Sequence, residues 1–397
     1  MPTLELECEA AIGELRAALI ELYDSVGADP ASPQDVARRF KLNKTLTWNI
    51  ARLLQSTDGI GAVPHVPGIG SIEKIVGATE AHGAPASAAL RVREAASAFE
   101  RVIEVHVGDR ATLDLIIDGL GPGGAVGLEL SRKRAFVGNS GIYGIQAKTK
   151  LMCCVLMPNA DDPDQLDMAM VRGHLGLRRL RAVDGFPIFR MRQWSRAGQA
   201  VGTQRWEPIE PGQADRALKT FARGDVPEIE AIETEGGTDY VIKPGPIGNR
   251  GAFDCFYGDM LRAGACRYQT DDDTFGEFGA TLTVPAENLV FDLIYHRDLD
   301  FCADASTKVY AYSFLHGNRE GEWDESTALP IRQPASQIVG TPPAVATPLV
   351  PRYAELVQRV VDRLGGDTGA FRGLRYELKY PPLGSTVVLR FDLPPRG

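Results

Sequence analysis

Residues 32–54, S-P-Q-D-V-A-R-R-F-K-L-N-K-T-L-T-W-N-I-A-R-L-L, constrain the fold of this chain more than any other stretch. Their spacing predicts a helix, a tight turn and a second helix. Ser32 stands at the first N-cap, with Pro33 at the first helical position and Asp35 in the first turn. Asn43 stands at the second N-cap, ahead of a helix expected over residues 44–55. Val36, Ala37, Phe40 and Leu42 supply small and apolar contacts between the two helices. Leu46, Ile50, Leu53 and Leu54 recur at i, i+4, i+7 and i+8, which makes a core stripe. The opposite face of the second helix carries Thr45, Trp48, Asn49 and Arg52.

The flanking sequence also reads as helical. Leu15, Leu19 and Leu22 mark one stripe of a helix over residues 5–26, and Gly27 stops it. Residues 57–70 are expected as a loop or short hairpin, and 71–78 as a short helix. V-P-G-I-G-S-I-E-K-I at 66–75 is similar to a helix-hairpin-helix loop. Lys74 occupies the position of that motif's small residue, so a Pro-Gly turn is expected instead. A longer helix is expected over 85–107, and another capped by Asp109 and ending near Asp118. Gly119, Gly121 and Gly124 satisfy G-x-G-x-x-G, yet no strand precedes them and no acidic residue follows at nucleotide-fold spacing. The glycine cluster is read as the start of a connecting segment over 119–150.

Composition then changes. Strands are expected at 151–157, 186–194, 229–234, 239–243, 280–284, 289–296, 308–315, 374–380 and 386–391, with helices at about 162–172, 213–222 and 352–364. Six prolines in 330–351 predict an extended connector. The expected fold class is therefore α+β. A helical domain over 1–118 contains the helix pair at 32–55, and a larger, mainly antiparallel domain spans 151–397.

At 397 residues, with 44% hydrophobic and 24% charged side chains, the chain is long enough for two or three globular domains. No apolar run approaches the roughly 20 residues needed to span a bilayer. The acidic N-terminus lacks the features of a secretion signal, so a cytoplasmic location is expected. Cys8, Cys153, Cys154, Cys255, Cys266 and Cys302 form no C-x-x-C pair and are expected to be reduced. Cys153 and Cys154 should point to opposite faces of one strand. No metal or cofactor is expected, and no G-x-S-x-G, H-E-x-x-H or P-loop sequence is present.

A net charge of −9 argues against indiscriminate nucleic-acid binding by the whole surface. The charge is uneven, however. Residues 32–54 carry five basic side chains (Arg38, Arg39, Lys41, Lys44, Arg52) and only Asp35 as an acid. Asn49 and Arg52 are side-chain types able to bond adenine and guanine edges bidentately. Lys44, at a helix N-terminus, suits a backbone phosphate. On these residues D-V-A-R-R-F-K-L-N-K-T-L-T-W-N-I-A-R-L-L resembles the helix-turn-helix of IclR-type and MarR-type bacterial transcriptional regulators. The resemblance covers about 25 residues, or about 55 with the preceding helix. It implies a DNA-binding site at Lys44, Thr45, Trp48, Asn49 and Arg52, a homodimer, and a C-terminal domain that senses a small-molecule or protein effector. The chain departs from the family pattern at Lys41, where glycine is usual. It departs again between Arg52 and Lys74, where a basic wing would lie and no Lys or Arg occurs.

Two features favour other classes. Residues 172–205 hold eight arginines against one acid, and Arg178, Arg179, Arg190 and Arg192 are candidates for anion binding. His296 and Asp298, ending a strand, are the best candidates for acid–base chemistry. The competing expectations are thus an enzyme using His296, Asp298 and the arginine cluster, or an interaction protein carrying a vestigial helix-turn-helix.

Overall fold

The computed structural model describes residues 4–56, 59–120, 124–182, 185–192, 206–213, 215–234, 237–271, 273–311, 323 and 325–396. The chain is α+β and divides into two compact units, residues 1–128 and 129–397.

In the first unit, α1 (Leu4–Ser25), α2 (Pro33–Arg39), α3 (Lys44–Gln55), α4 (Gly59–Ala62), α5 (Ile69–Glu80), α6 (Ala86–His106) and α7 (Arg110–Leu120) follow in order. Ile12, Leu15, Leu19 and Leu22 of α1 are buried with Val92, Phe99 and Ile103 of α6 and Ile72, Ile75 and Val76 of α5. Ile50 and Leu53 join α3 to the same core. Each helix thus buries one stripe, as its 3.6-residue periodicity requires. Gly27 adopts φ +59 and ends α1 in the left-handed conformation. Arg39 completes that end by donating to the carbonyls of Val26 (2.6 Å) and Gly27 (2.9 Å).

Two local expectations are corrected here. Ser32 does not cap α2 through its side chain; its hydroxyl donates to Asp29 Oδ2 at 3.0 Å. The expected loop or hairpin at 57–70 contains α4 and a 3-10 turn, Val63–His65. Arg110 holds this segment by donating to the carbonyls of Val63 (2.5 Å) and Val66 (3.0 Å). The connecting segment at 119–150 holds the end of α7, then α8 (Gly124–Tyr143) and the start of the first strand.

The second unit centres on a seven-stranded sheet. Its strands are β1 (Ile145–Pro158), β2 (Gln165–Arg179), β4 (Glu207–Pro208), β7 (Phe253–Cys266), β9 (Ala286–His296), β11 (Ser336–Ile338) and β12 (Phe371–Lys379). They lie in the order β11-β12-β9-β1-β2-β7-β4. Only β1 and β9 run parallel; the other pairs are antiparallel. One face is covered by α9 (Tyr353–Leu364), whose Leu356, Val357, Val360 and Val361 pack with Leu151, Cys153, Val155, Val171 and Ile294. The opposite face packs Met152, Cys154 and Leu156 with Phe278, Val309 and Val387, which belong to one of two small sheets. One pairs β8 (Phe275–Thr281), β13 (Thr386–Asp392) and β10 (Ser306–Tyr310). The second pairs β3 (Phe186–Arg192), β6 (Gly237–Ile242) and β5 (Ile229–Thr234).

Cys153 packs in the α9-side core and Cys154 in the opposite one, as strand alternation requires. All six cysteines are free, and all but Cys266 are buried. The expected helices at 162–172 and 213–222 do not form. The first is β2, whose helix-favouring Leu, Met and Ala residues are overridden by pairing with β1 and β7 on both edges. Among its described residues the second holds only a 3-10 turn, Lys219–Phe221. Strand β7 was not expected. Its Gly258 lies where a Cβ would strike Ile209 and Leu218, so the glycine that breaks the sequence pattern allows close packing. No helix among the described residues is long and apolar enough to cross a membrane.

Candidate nucleic-acid interface

Helix α3 begins where Asn43 takes an extended conformation and its side-chain oxygen accepts from the Thr45 amide at 2.7 Å. That bond satisfies one of the amides left open at the helix start. The preceding turn depends on Lys41, which sits at φ +53. The left-handed backbone that favours glycine in the related motif is therefore present, with lysine bearing the strain. At the other end of α3, Arg16 Nε donates to the Leu53 carbonyl at 2.8 Å, tying the helix to α1.

With Ile50, Ala51 and Leu53 buried, the helix turns its other side outward. Lys44, Thr45 and Arg52 are exposed, Asn49 is half-buried, and Trp48 is 46% exposed. The five residues expected to contact DNA thus share one accessible surface of α3. Beside it lies a groove of about 680 Å3, whose lining includes Asn43, Thr45 and Asn49 on one side and Pro67, Gly68, Ser71 and Lys74 on the other. Lys41 also lines it. Lys74 is the residue that sequence reasoning left out. It is the first Lys or Arg after Arg52, and α5 brings it into the groove beside α3. Burial and then the Arg52 guanidinium hold the His65 imidazole below its ordinary proton affinity.

The other candidates are dispersed. Arg178 donates to Asn249 Oδ1 at 2.7 Å. Arg179 is buried, donates to the Lys243 carbonyl, and lies against Gly245, where a Cβ would meet its guanidinium. These two neighbours point to opposite faces of β2. Arg190 and Arg192 belong to β3, paired with Asp239 and Gly237, and their side chains lie outside the described residues. His296 Nδ1 lies 3.5 Å from Asp298 Oδ2 and accepts from the Asp298 amide at 3.3 Å, while its ring stands edge-on to Phe371. Arg179 pairs with Ile145 at one end of β1, whereas Tyr295, next to His296, pairs with Leu156. Those ends are separated by roughly 35 Å of strand at about 3.3 Å per residue. A single site using His296, Asp298, Arg178 and Arg179 is not assembled. No group of three or more His, Cys, Asp or Glu able to hold a metal occurs among the described residues.

No family model and no curated protein matches this chain. Among solved structures it is similar to a "putative protease" from Parabacteroides distasonis, at 8% identity and a TM-score of 0.26. The alignment covers 64% of this chain and 41% of that one. Overlap that low carries no argument about fold or activity.

Proposed function

We propose that this chain is a cytoplasmic, homodimeric DNA-binding regulator. In this reading α2 and α3 are the reader, and the second unit is the effector or dimerisation part. The observation that carries the reading is the two-sidedness of α3. Its apolar stripe is consumed by the core, while Thr45, Trp48, Asn49 and Arg52 remain outward. In a helix-turn-helix the second helix enters the major groove, and Asn and Arg there can read base edges. Lys41, Lys44 and Lys74 add positive charge around that face. Two copies are needed because one such helix reads only a few base pairs. The test is binding to fragments of the source genome, measured by fluorescence anisotropy at about 50 mM salt and repeated as salt is raised. A cognate fragment should be bound with log affinity falling linearly against log salt, and Arg52→Ala should cost about 1–3 kcal/mol. Absence of any bound fragment at the lowest salt would sink the reading.

A further inference from the structure

Three neighbouring strands of the second unit place Lys150, His174 and Cys255 side by side. Lys150 pairs with His174 across β1 and β2, and His174 with Cys255 across β2 and β7. All three are buried, with Lys150 at 5% and His174 at 1% exposure. The lysine Nζ lies 3.5 Å from His174 Nε2. Among the described residues no carboxylate pairs with that amine. The next residues along the same face carry Arg172 and Tyr257, then Asp259. Arg172 bonds Asp259 at 2.9 Å and Arg216 bonds its other oxygen. Asp215, whose field reaches Tyr257, is held by Lys219 at 3.2 Å. The row therefore contains two guanidiniums and one carboxylate, a surplus of one positive charge before Lys150 is counted.

Such a site disfavours an ammonium. Burial, and then the field of Arg172, bring the Lys150 amine down to about 7. A neutral amine with an uncharged imidazole beside it is a nucleophile. Carbon dioxide is among the smallest carbonyl electrophiles and carries no charge, so bringing it to a buried amine adds no charge to desolvate. We propose that Lys150 is a carbamylation site, taking up carbon dioxide as a carbamate. The amine lone pair attacks the carbon of CO2 and forms the C–N bond. One C–O π pair moves onto oxygen, and an N–H proton passes to His174 Nε2 and then to water. No electrons are gained or lost overall. The product is an anion beside Arg172, and it brings the charge of the row from a surplus of one to zero. Nothing in this proposal depends on DNA binding.

The experiment uses the full chain incubated with 13C-bicarbonate. Carbon-13 NMR detects the carbamate, and O-alkylation with a trialkyloxonium salt followed by peptide mapping locates it. Labelling at Lys150 should exceed that of any surface lysine on the order of a hundredfold near pH 8, from the larger neutral fraction of its amine. The label should disappear on removal of CO2 and be absent from Lys150→Met. Mapping on the unsubstituted protein decides the matter even if that variant does not fold. Recovery of the Lys150 peptide unmodified, with label confined to surface amines, overturns the proposal.

Discussion

Arg375 grips Asp292 with two hydrogen bonds, Nε to Oδ1 at 2.9 Å and Nη2 to Oδ2 at 2.7 Å, inside the central sheet. The two residues face each other across β12 and β9, and Arg375 also donates to the Val345 carbonyl at 2.6 Å. The pair therefore ties the proline-rich segment to the sheet. Burial pushes the Asp292 carboxyl above its ordinary proton affinity, and Arg375 opposes that shift. Asp292→Ala would leave a guanidinium buried without its anion. It should destabilise the second unit by about 3–5 kcal/mol in urea unfolding, whereas replacing both residues with apolar ones of similar volume should cost much less. An equal loss in both variants would show that the charge pairing is not what matters there.

Lys150 and His174 make stability depend on pH. Lys150 falls to about 7 in the folded chain from an ordinary value of 10.5, and His174 falls well below 6.5. Between roughly pH 7 and 10.5 the unfolded chain binds the lysine proton and the folded chain does not, so stability rises with pH. Below pH 7 both states hold that proton and its contribution is flat. His174 adds a further loss as pH falls below about 6.5, where only the unfolded chain takes its proton. Urea midpoints at pH 7 and 9.5, in CO2-free buffer, should show a rise that Lys150→Met abolishes.

The turn before α3 stores strain at Lys41. Lys41→Gly should raise the stability of the helical unit by a few tenths to about 1 kcal/mol, because glycine occupies that backbone region without penalty. Asn43→Ala should act oppositely, costing about 1 kcal/mol through loss of the bond to the Thr45 amide. Thermal unfolding of the two variants against the parent checks both signs.

If the groove beside α3 follows a DNA backbone, Lys74 contacts a phosphate and carries no sequence information. Lys74→Ala should then weaken binding about equally for cognate and unrelated duplexes, and lower the slope of log affinity against log salt by about 1. A loss confined to the cognate duplex would contradict the phosphate role.

The longer helices of the first hundred residues were legible because each carries its own instructions. Asn43 caps α3, Gly27 ends α1, and the stripe from Leu46 to Leu54 declares which side goes inward. Such signals act within one or two turns of chain. The proposed reading face, Thr45, Trp48, Asn49 and Arg52, was legible for the same reason. Lys74 was not, because 22 positions separate it from Arg52 in sequence and only the packing of α5 beside α3 brings it into the groove.

In the second unit the chain alone determined the α+β class, helix α9 and most short strands with β-branched or aromatic runs. It did not reveal β2, whose Met, Ala, Leu and Gly residues have weak strand preference of their own, nor β7, whose aromatic start at Phe253–Tyr257 is followed by Gly258, Ala263 and Gly264. β2 exists because it is hydrogen-bonded to β1 and β7 along both edges, and β7 because it pairs with β2 along its length, a stabilisation supplied by residues distant in sequence. The same non-local pairing aligned Lys150, His174 and Cys255, which span 105 positions of chain. Sequence alone thus determined α1, α3, α6 and α9 and their inward faces through local periodicity and capping. Only the tertiary structure decided which side chains meet across the sheet, because register is fixed by the combined burial of several strands and not by any one of them.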